Sequence, residues 1–182
     1  MRTAVFSLLM SLHCTLCLSQ EPEQSALVTG SDQKAFKLLT GMYEAVSWND
    51  GKKRHSPPDI TARWTFIEGK TMSIIHNRVD PQNTVSTIGW GYGKFKDGKF
   101  TYAYPEFVTI KGKPSNASVT QGGPFEGERQ YSIEFDGDRM VMTSASGKQV
   151  WEVTPEGMRY TDQEWGPHKT FAQRVWKRIT QQ

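Results

Sequence analysis

The stretch TVSTIGWGYGKFKDGKFTYAYPEFVTIK, residues 84–111, decides the fold class. Two β-rich runs, residues 84–95 and 99–111, lie on either side of the dipeptide Asp97-Gly98. Asp-Gly supplies the positive φ angles that tight hairpin turns require. The stretch therefore predicts two antiparallel strands joined by a short turn.

The same pattern of short strands and Gly-bearing turns extends over most of the chain. It predicts strands at residues 41–48, 61–68, 71–79, 84–95, 99–111, 128–135, 139–145, 149–154, 158–164 and 170–179. No long helical period lies between them to provide the crossovers of a parallel sheet. Residues 112–127, which hold the glycosylation triplet Asn116-Ala117-Ser118, are predicted to form a long loop. We therefore expect an all-β, antiparallel fold.

Large aromatic residues alternate with small or polar ones along several of these strands, so that one face of each strand carries bulky rings. This alternation favours a single antiparallel up-and-down β-barrel of about eight to ten strands over a sandwich. Apolar residues at 35, 36, 38 and 39, followed by Gly41, predict a short helical turn before the first strand. The rings expected to line a ligand cavity are Trp64, Phe66, Trp90, Tyr92, Tyr102 and Tyr104. The alternative is that these rings simply fill the core.

The N-terminus has the pattern of an export signal. The apolar run 4–18 follows Arg2 and precedes Ser19, so residues 1–19 are predicted to be a signal peptide, 20–35 a flexible leader and 36–182 the barrel domain. The run is shorter than the ~20 residues that a membrane span needs. Both cysteines, Cys14 and Cys17, lie in this signal, so the mature chain is expected to have no disulfide. We expect a secreted or periplasmic protein without an integral membrane segment.

Charge and chemistry-bearing residues give few signs of catalysis. The net charge of +3 is too small to favour nucleic-acid binding, and no spacing predicts a metal site or a cofactor. Glu106 and His76 lie within aromatic or apolar runs, so either would be a candidate general acid or base if it pointed into the barrel. The alternative, which we favour, is that both are solvated strand residues.

Two terminal segments carry a resemblance to a known family. Residues 38–47, LLTGMYEAVS, resemble the opening strand of lipocalin-like proteins, with Tyr43 where that family has Trp. Residues 174–178, RVWKR, resemble the last barrel strand of lipocalin-like domains. The resemblance implies a barrel closed between these segments, with Arg174 or Arg178 over Tyr43 and with Gly41 and Trp176 beside them.

The leading functional hypothesis is a secreted barrel that binds a small, largely apolar molecule without a cofactor. A calycin-like isomerase or cyclase acting on a hydrophobic substrate is the enzyme alternative, since orientation plus one or two polar groups can suffice for such a reaction. A filled barrel that binds another protein or a glycan through its loops is the third alternative.

Overall fold

The computed structural model describes residues 30–113, 115–122, 127–166 and 168–179. The expected signal peptide, residues 1–19, lies outside the described residues. Helix α1 covers Gly30–Leu39 and therefore begins inside the stretch 20–35 that was expected to be a flexible leader. It has ten residues, where the sequence predicted a single short turn.

In the described part of the chain, twelve strands follow the helix. They are β1 (Gly41–Asn49), β2 (Arg54–His55), β3 (Ile60–Ile67), β4 (Lys70–Asn77), β5 (Val85–Lys96), β6 (Lys99–Lys111), β7 (Ser118–Gly122), β8 (Arg129–Asp136), β9 (Arg139–Ser144), β10 (Gln149–Val153), β11 (Gly157–Trp165) and β12 (Thr170–Ile179). The short strand β7 lies in the segment 112–127 that was expected to be a loop, and it pairs with the second half of β6.

Ten of these strands form a closed antiparallel barrel in the order β1, β3, β4, β5, β6, β8, β9, β10, β11 and β12. Pairing of β12 with β1 closes the ring, while β2 pairs with the end of β1. The predicted all-β barrel is thus confirmed. Asp97 and Gly98, with φ of 53° and 71°, form the turn that the sequence predicted between β5 and β6.

Helix α1 covers one end of the barrel. The ring of Phe36 packs edge-on against Phe66 at 5.3 Å and against Phe95 at 6.3 Å between ring centroids. The buried Asp32 carboxylate accepts a hydrogen bond of 3.0 Å from the backbone N–H of Gly98, in the turn between β5 and β6. The helix therefore closes this end with both apolar and polar contacts.

The two ends of the sheet meet beside this helix. The Arg178 guanidinium lies 4.8 Å from the centre of the Tyr43 ring and donates hydrogen bonds to the carbonyls of Leu38, Thr40 and Pro155. A Cβ at Gly41 would collide with this guanidinium, and the φ of 153° at Gly41 also favours glycine. Arg178, and not Arg174, is therefore the basic residue over Tyr43.

Candidate functional site

A cavity of about 340 Å³, partly open to solvent, occupies the half of the barrel away from α1. Residues Ser73, Ile75 and Asn77 of β4 contribute to its wall, as expected for alternate residues on one face of a strand. The other lining residues are Trp48, Trp64, Val85, Thr87, Tyr102, Tyr104, Phe107, Thr109, Arg129, Trp151, Tyr160, Trp165, Arg174 and Trp176. Aromatic side chains make up most of the wall, and the volume is within the range of small-molecule pockets.

The aromatic wall is held by mutual ring contacts. Trp64 lies 5.7 Å from Tyr43 and 5.8 Å from Trp151 between ring centroids. Its indole Nε1–H donates a hydrogen bond of 2.8 Å to the Tyr104 hydroxyl. Trp151 in turn packs 4.5 Å from Tyr160. These contacts fix the ring orientations, so the cavity is preformed.

Two arginines face the same cavity. The guanidinium carbon of Arg174 lies 4.0 Å from the centre of the Trp48 ring and 4.1 Å from that of Trp165. These cation–π contacts stabilise a buried cation by ~0.5 to 2 kcal/mol each. Arg129 donates a hydrogen bond of 2.9 Å from Nη1 to the Tyr102 hydroxyl. The apolar cavity therefore has two positively charged groups in its wall.

Three buried tyrosines, Tyr104, Tyr131 and Tyr160, stay neutral at physiological pH. Burial raises the pKa of Tyr104 and Tyr160, both of which line the cavity, and also that of Tyr131. The Tyr160 hydroxyl donates to the Asp162 carboxylate at 3.0 Å, and the Tyr131 hydroxyl donates to Gln149 at 2.7 Å. These phenols are therefore hydrogen-bonding groups and not counterions for the arginines.

The structure brings together only part of the predicted ligand site. Trp64, Tyr102 and Tyr104 line the cavity, whereas Phe66 is fully buried outside the lining set. Its ring packs near the helix, 5.8 Å from Phe95 and 5.9 Å from Phe100. Phe66 thus belongs to the filled end of the barrel.

The expectation that Trp90 and Tyr92 point inward is corrected by the structure, because their side chains are 48% and 38% exposed. The inward positions of this part of β5 are Gly89, Gly91 and Gly93, which are buried. A Cβ at Gly91 would collide with the backbone carbonyl of Ala103, so glycine allows β5 and β6 to approach closely. The bulky rings of this run therefore lie on the outer surface.

Neither candidate acid or base lines the cavity. Glu106 is exposed. The pairing of β5 with β6 is irregular between Trp90 and Tyr92, so the alternation of side chains along β6 is interrupted there. As a result Tyr104 and Phe107, three residues apart, both face inward, and Glu106 between them does not. His76 lies outside the lining set and accepts or donates a hydrogen bond of 2.8 Å between Nδ1 and the Ser86 hydroxyl. Partial burial lowers the pKa of His76, and the neighbouring Arg78 lowers it further. The structure thus agrees with the alternative in which both are strand residues outside the barrel interior.

Sequence reasoning missed much of the wall. It assigned Arg174 and Trp176 to barrel closure, but both line the cavity, and it did not single out Trp48, Arg129, Trp151, Tyr160 or Trp165. Buried residues alternate at 151 and 153 and at 158 and 160, and the sequence shows this as aromatic or apolar residues at period two. That signal could have added Trp151 and Tyr160 to the candidate site.

The sequence matches no protein-family model, and no curated protein matches it significantly. Within the described ranges, no group of three or more His, Cys, Asp or Glu side chains is arranged to hold a metal ion. The described part of the chain also contains no helix long and apolar enough to cross a membrane.

Proposed function

We propose that this protein binds one small, largely apolar molecule inside its barrel. The observation that carries the proposal is the preformed cavity of about 340 Å³ walled by aromatic side chains. Transfer of apolar surface from water into such a cavity is favourable by roughly 25 cal/mol per Å². The volume has room for one small molecule, which fits a carrier with a single site.

The cavity also favours this proposal over a barrel filled by its own side chains. Phe66, Phe95 and Phe100 fill the end beneath α1, and the space remains at the other end. An isomerase or cyclase would use the same space, so turnover of the bound molecule distinguishes an enzyme from a carrier.

Binding of the neutral fluorophore N-phenylnaphthylamine tests the proposal. We expect saturable binding of one molecule per chain and quenching of tryptophan emission, because Trp64 and Trp151 lie in the wall. Ser73→Phe places a ring in the cavity and should weaken binding by about tenfold or more, by removing room for the ligand. Ser132→Phe is the matched control, since Ser132 is exposed on β8, and it should leave binding unchanged. Equal binding by the two variants, or no saturable binding to the wild type, would rule the interior site out.

Export and family membership belong to the same proposal. Export is supported by the signal-like sequence of residues 1–19, and the mass of the chain isolated from its source would show whether that segment is removed. Membership of the lipocalin-like family is supported by residues 38–47 and 174–178, whose strands pair with each other in the barrel.

A further inference from the structure

The side chain of Arg174 is a buried cation without a charged or hydrogen-bonding partner in the described part of the chain. It is only 9% exposed. Its Nε and Nη2 atoms are shielded from water and have no hydrogen-bond partner, and no salt bridge to it is formed by any described carboxylate. Buried charges in proteins are normally paired because desolvation of a lone charge is costly.

The charge is retained in this environment. Burial lowers the pKa of Arg174 to about 10, which still leaves the guanidinium protonated at physiological pH. The faces of Trp48 and Trp165 attract the cation, but their rings offer no acceptor for its N–H groups. The guanidinium therefore keeps both its positive charge and unused donors.

The other charged residue in the described part of the cavity wall is also positive. Arg129 places a second guanidinium in it, and none of the described lining residues is Asp or Glu. Asp162 is buried nearby in sequence, but its carboxylate accepts from Tyr160 and Gln149 and lies outside the lining set. In a cavity with apolar walls, the unpaired charge of Arg174 attracts an anion more strongly than it would in water.

From this arrangement we infer that the ligand is an organic carboxylate whose apolar body lies among the rings and whose carboxylate pairs with Arg174. The inference rests on the proposed function, because it names the class of molecule that the same cavity binds. A carboxylate supplies both the charge and the acceptor oxygens that Arg174 lacks, and guanidinium–carboxylate pairs are among the strongest hydrogen-bonded contacts in proteins. The aromatic wall accounts for the rest of the molecule.

Displacement of bound N-phenylnaphthylamine from the wild-type protein is the first test. The competitors are naphthalene carboxylate and naphthalene carboxamide, which share the same rings and differ in charge. We expect the carboxylate to displace the dye at a concentration lower by about tenfold or more, the ratio that one hydrogen-bonded charge pair supplies. Equal displacement, or better displacement by the carboxamide, would overturn the inference and leave the proposed function standing.

The variant Arg174→Met tests whether Arg174 causes the preference for the carboxylate over the carboxamide. It should abolish the advantage of the carboxylate over the carboxamide while keeping the length and apolar stem of the side chain. The measurement is the ratio of the two competitors within the same variant, so a change in the affinity for the dye affects both competitors equally and does not alter the result. Arg63→Met is the matched control, because Arg63 is exposed and lies outside the cavity wall, and it should keep the advantage. An Arg174→Met protein that still prefers the carboxylate would overturn the role of Arg174.

If Arg174→Met does not fold, Arg174→Gln and the wild-type competition still decide the question. Loss of the carboxylate advantage in Arg174→Gln supports the inference, and its retention overturns it. Absence of dye binding to the wild type is a different result, because it removes the proposed function and not only the class of ligand.

Discussion

Trp64 and Trp90 lie on opposite faces of the barrel wall, and this difference predicts opposite consequences of their removal. Trp64 is 3% exposed and packs against Tyr43, Phe66 and Trp151. Trp64→Ala should lower the free energy of unfolding by ~3 to 5 kcal/mol, as large-to-small changes in aromatic cores do. Trp90→Ala should lower it by less than ~1 kcal/mol and leave dye binding unchanged, because surface changes usually have small effects. Chemical denaturation of both variants checks this, and a larger loss in Trp90→Ala than in Trp64→Ala would contradict the assigned faces.

The sequence predicts the period of side chains along a strand more readily than it predicts which face is inside. In the run from Gly89 to Gly93, the expectation placed the two rings inside because they alternate with small residues, so that one face of the strand carries the bulky rings. The structure places the glycines inside, where a Cβ at Gly93 would meet the rings of Phe66 and Phe100 at 2.9 Å. The inner space is already filled by side chains from neighbouring strands. Which face of a strand points inward therefore depends on side chains that are distant in sequence, and the local pattern alone does not predict it.

The position of Arg174 could not be predicted from local sequence either. The sequence placed Arg174 or Arg178 over Tyr43 without choosing between them, and both are on β12, four residues apart. The pairing of β12 with β1 puts Arg178 opposite Tyr43 and Arg174 opposite Trp48. The pairing has a bulge between Ala45 and Ser47, so that the partners Tyr43 and Trp48 are five residues apart on β1 while Arg178 and Arg174 are four apart on β12. The division of roles between them follows from register, which is a tertiary property.

At the scale of elements, the turns were the most predictable feature. Ten strands were expected and ten form the closed ring, because Gly-bearing turns such as Asp97-Gly98 mark where each hairpin reverses. The extent of α1 and the presence of β7 were not predicted. Both elements depend on contacts with the barrel, such as Asp32 with Gly98 and β7 with β6, and local propensity is a weak guide to such elements.

Strand β12 is predicted to be essential for cooperative folding, since it pairs with β1 on one side and β11 on the other. Deletion of residues 170–182 would expose the edges of two strands and remove Arg174, Trp176 and Arg178 together. We expect the truncated chain to lose the cooperative unfolding transition seen by circular dichroism, because an open sheet exposes both its edges and its core. A sharp transition at a similar denaturant concentration would count against closure by this strand.

At the scale of the whole molecule, the tyrosine-rich interior predicts sensitivity to alkaline pH. Tyr43, Tyr104, Tyr131 and Tyr160 are almost fully buried, and burial raises the pKa of each above its usual value. A phenol with a raised pKa binds its proton more tightly in the folded chain than in the unfolded chain. The stability from the neutral phenols is therefore fully present below about pH 10 and is lost as the pH rises through the higher folded pKa values.

Tyr43 allows this prediction to be tested at one position. Burial raises its pKa to about 12, although the nearby Arg178 opposes the shift, and its hydroxyl donates a hydrogen bond of 2.8 Å to the Leu39 carbonyl. The difference between this pKa and the usual value of about 10 corresponds to ~3 kcal/mol of stability that ionisation would remove. We expect the free energy of unfolding, measured by denaturant titration between about pH 8 and pH 12, to fall steadily above pH 10. Tyr43→Phe should fall less steeply because it lacks one ionising phenol, and parallel curves for the two proteins would show that Tyr43 titrates normally.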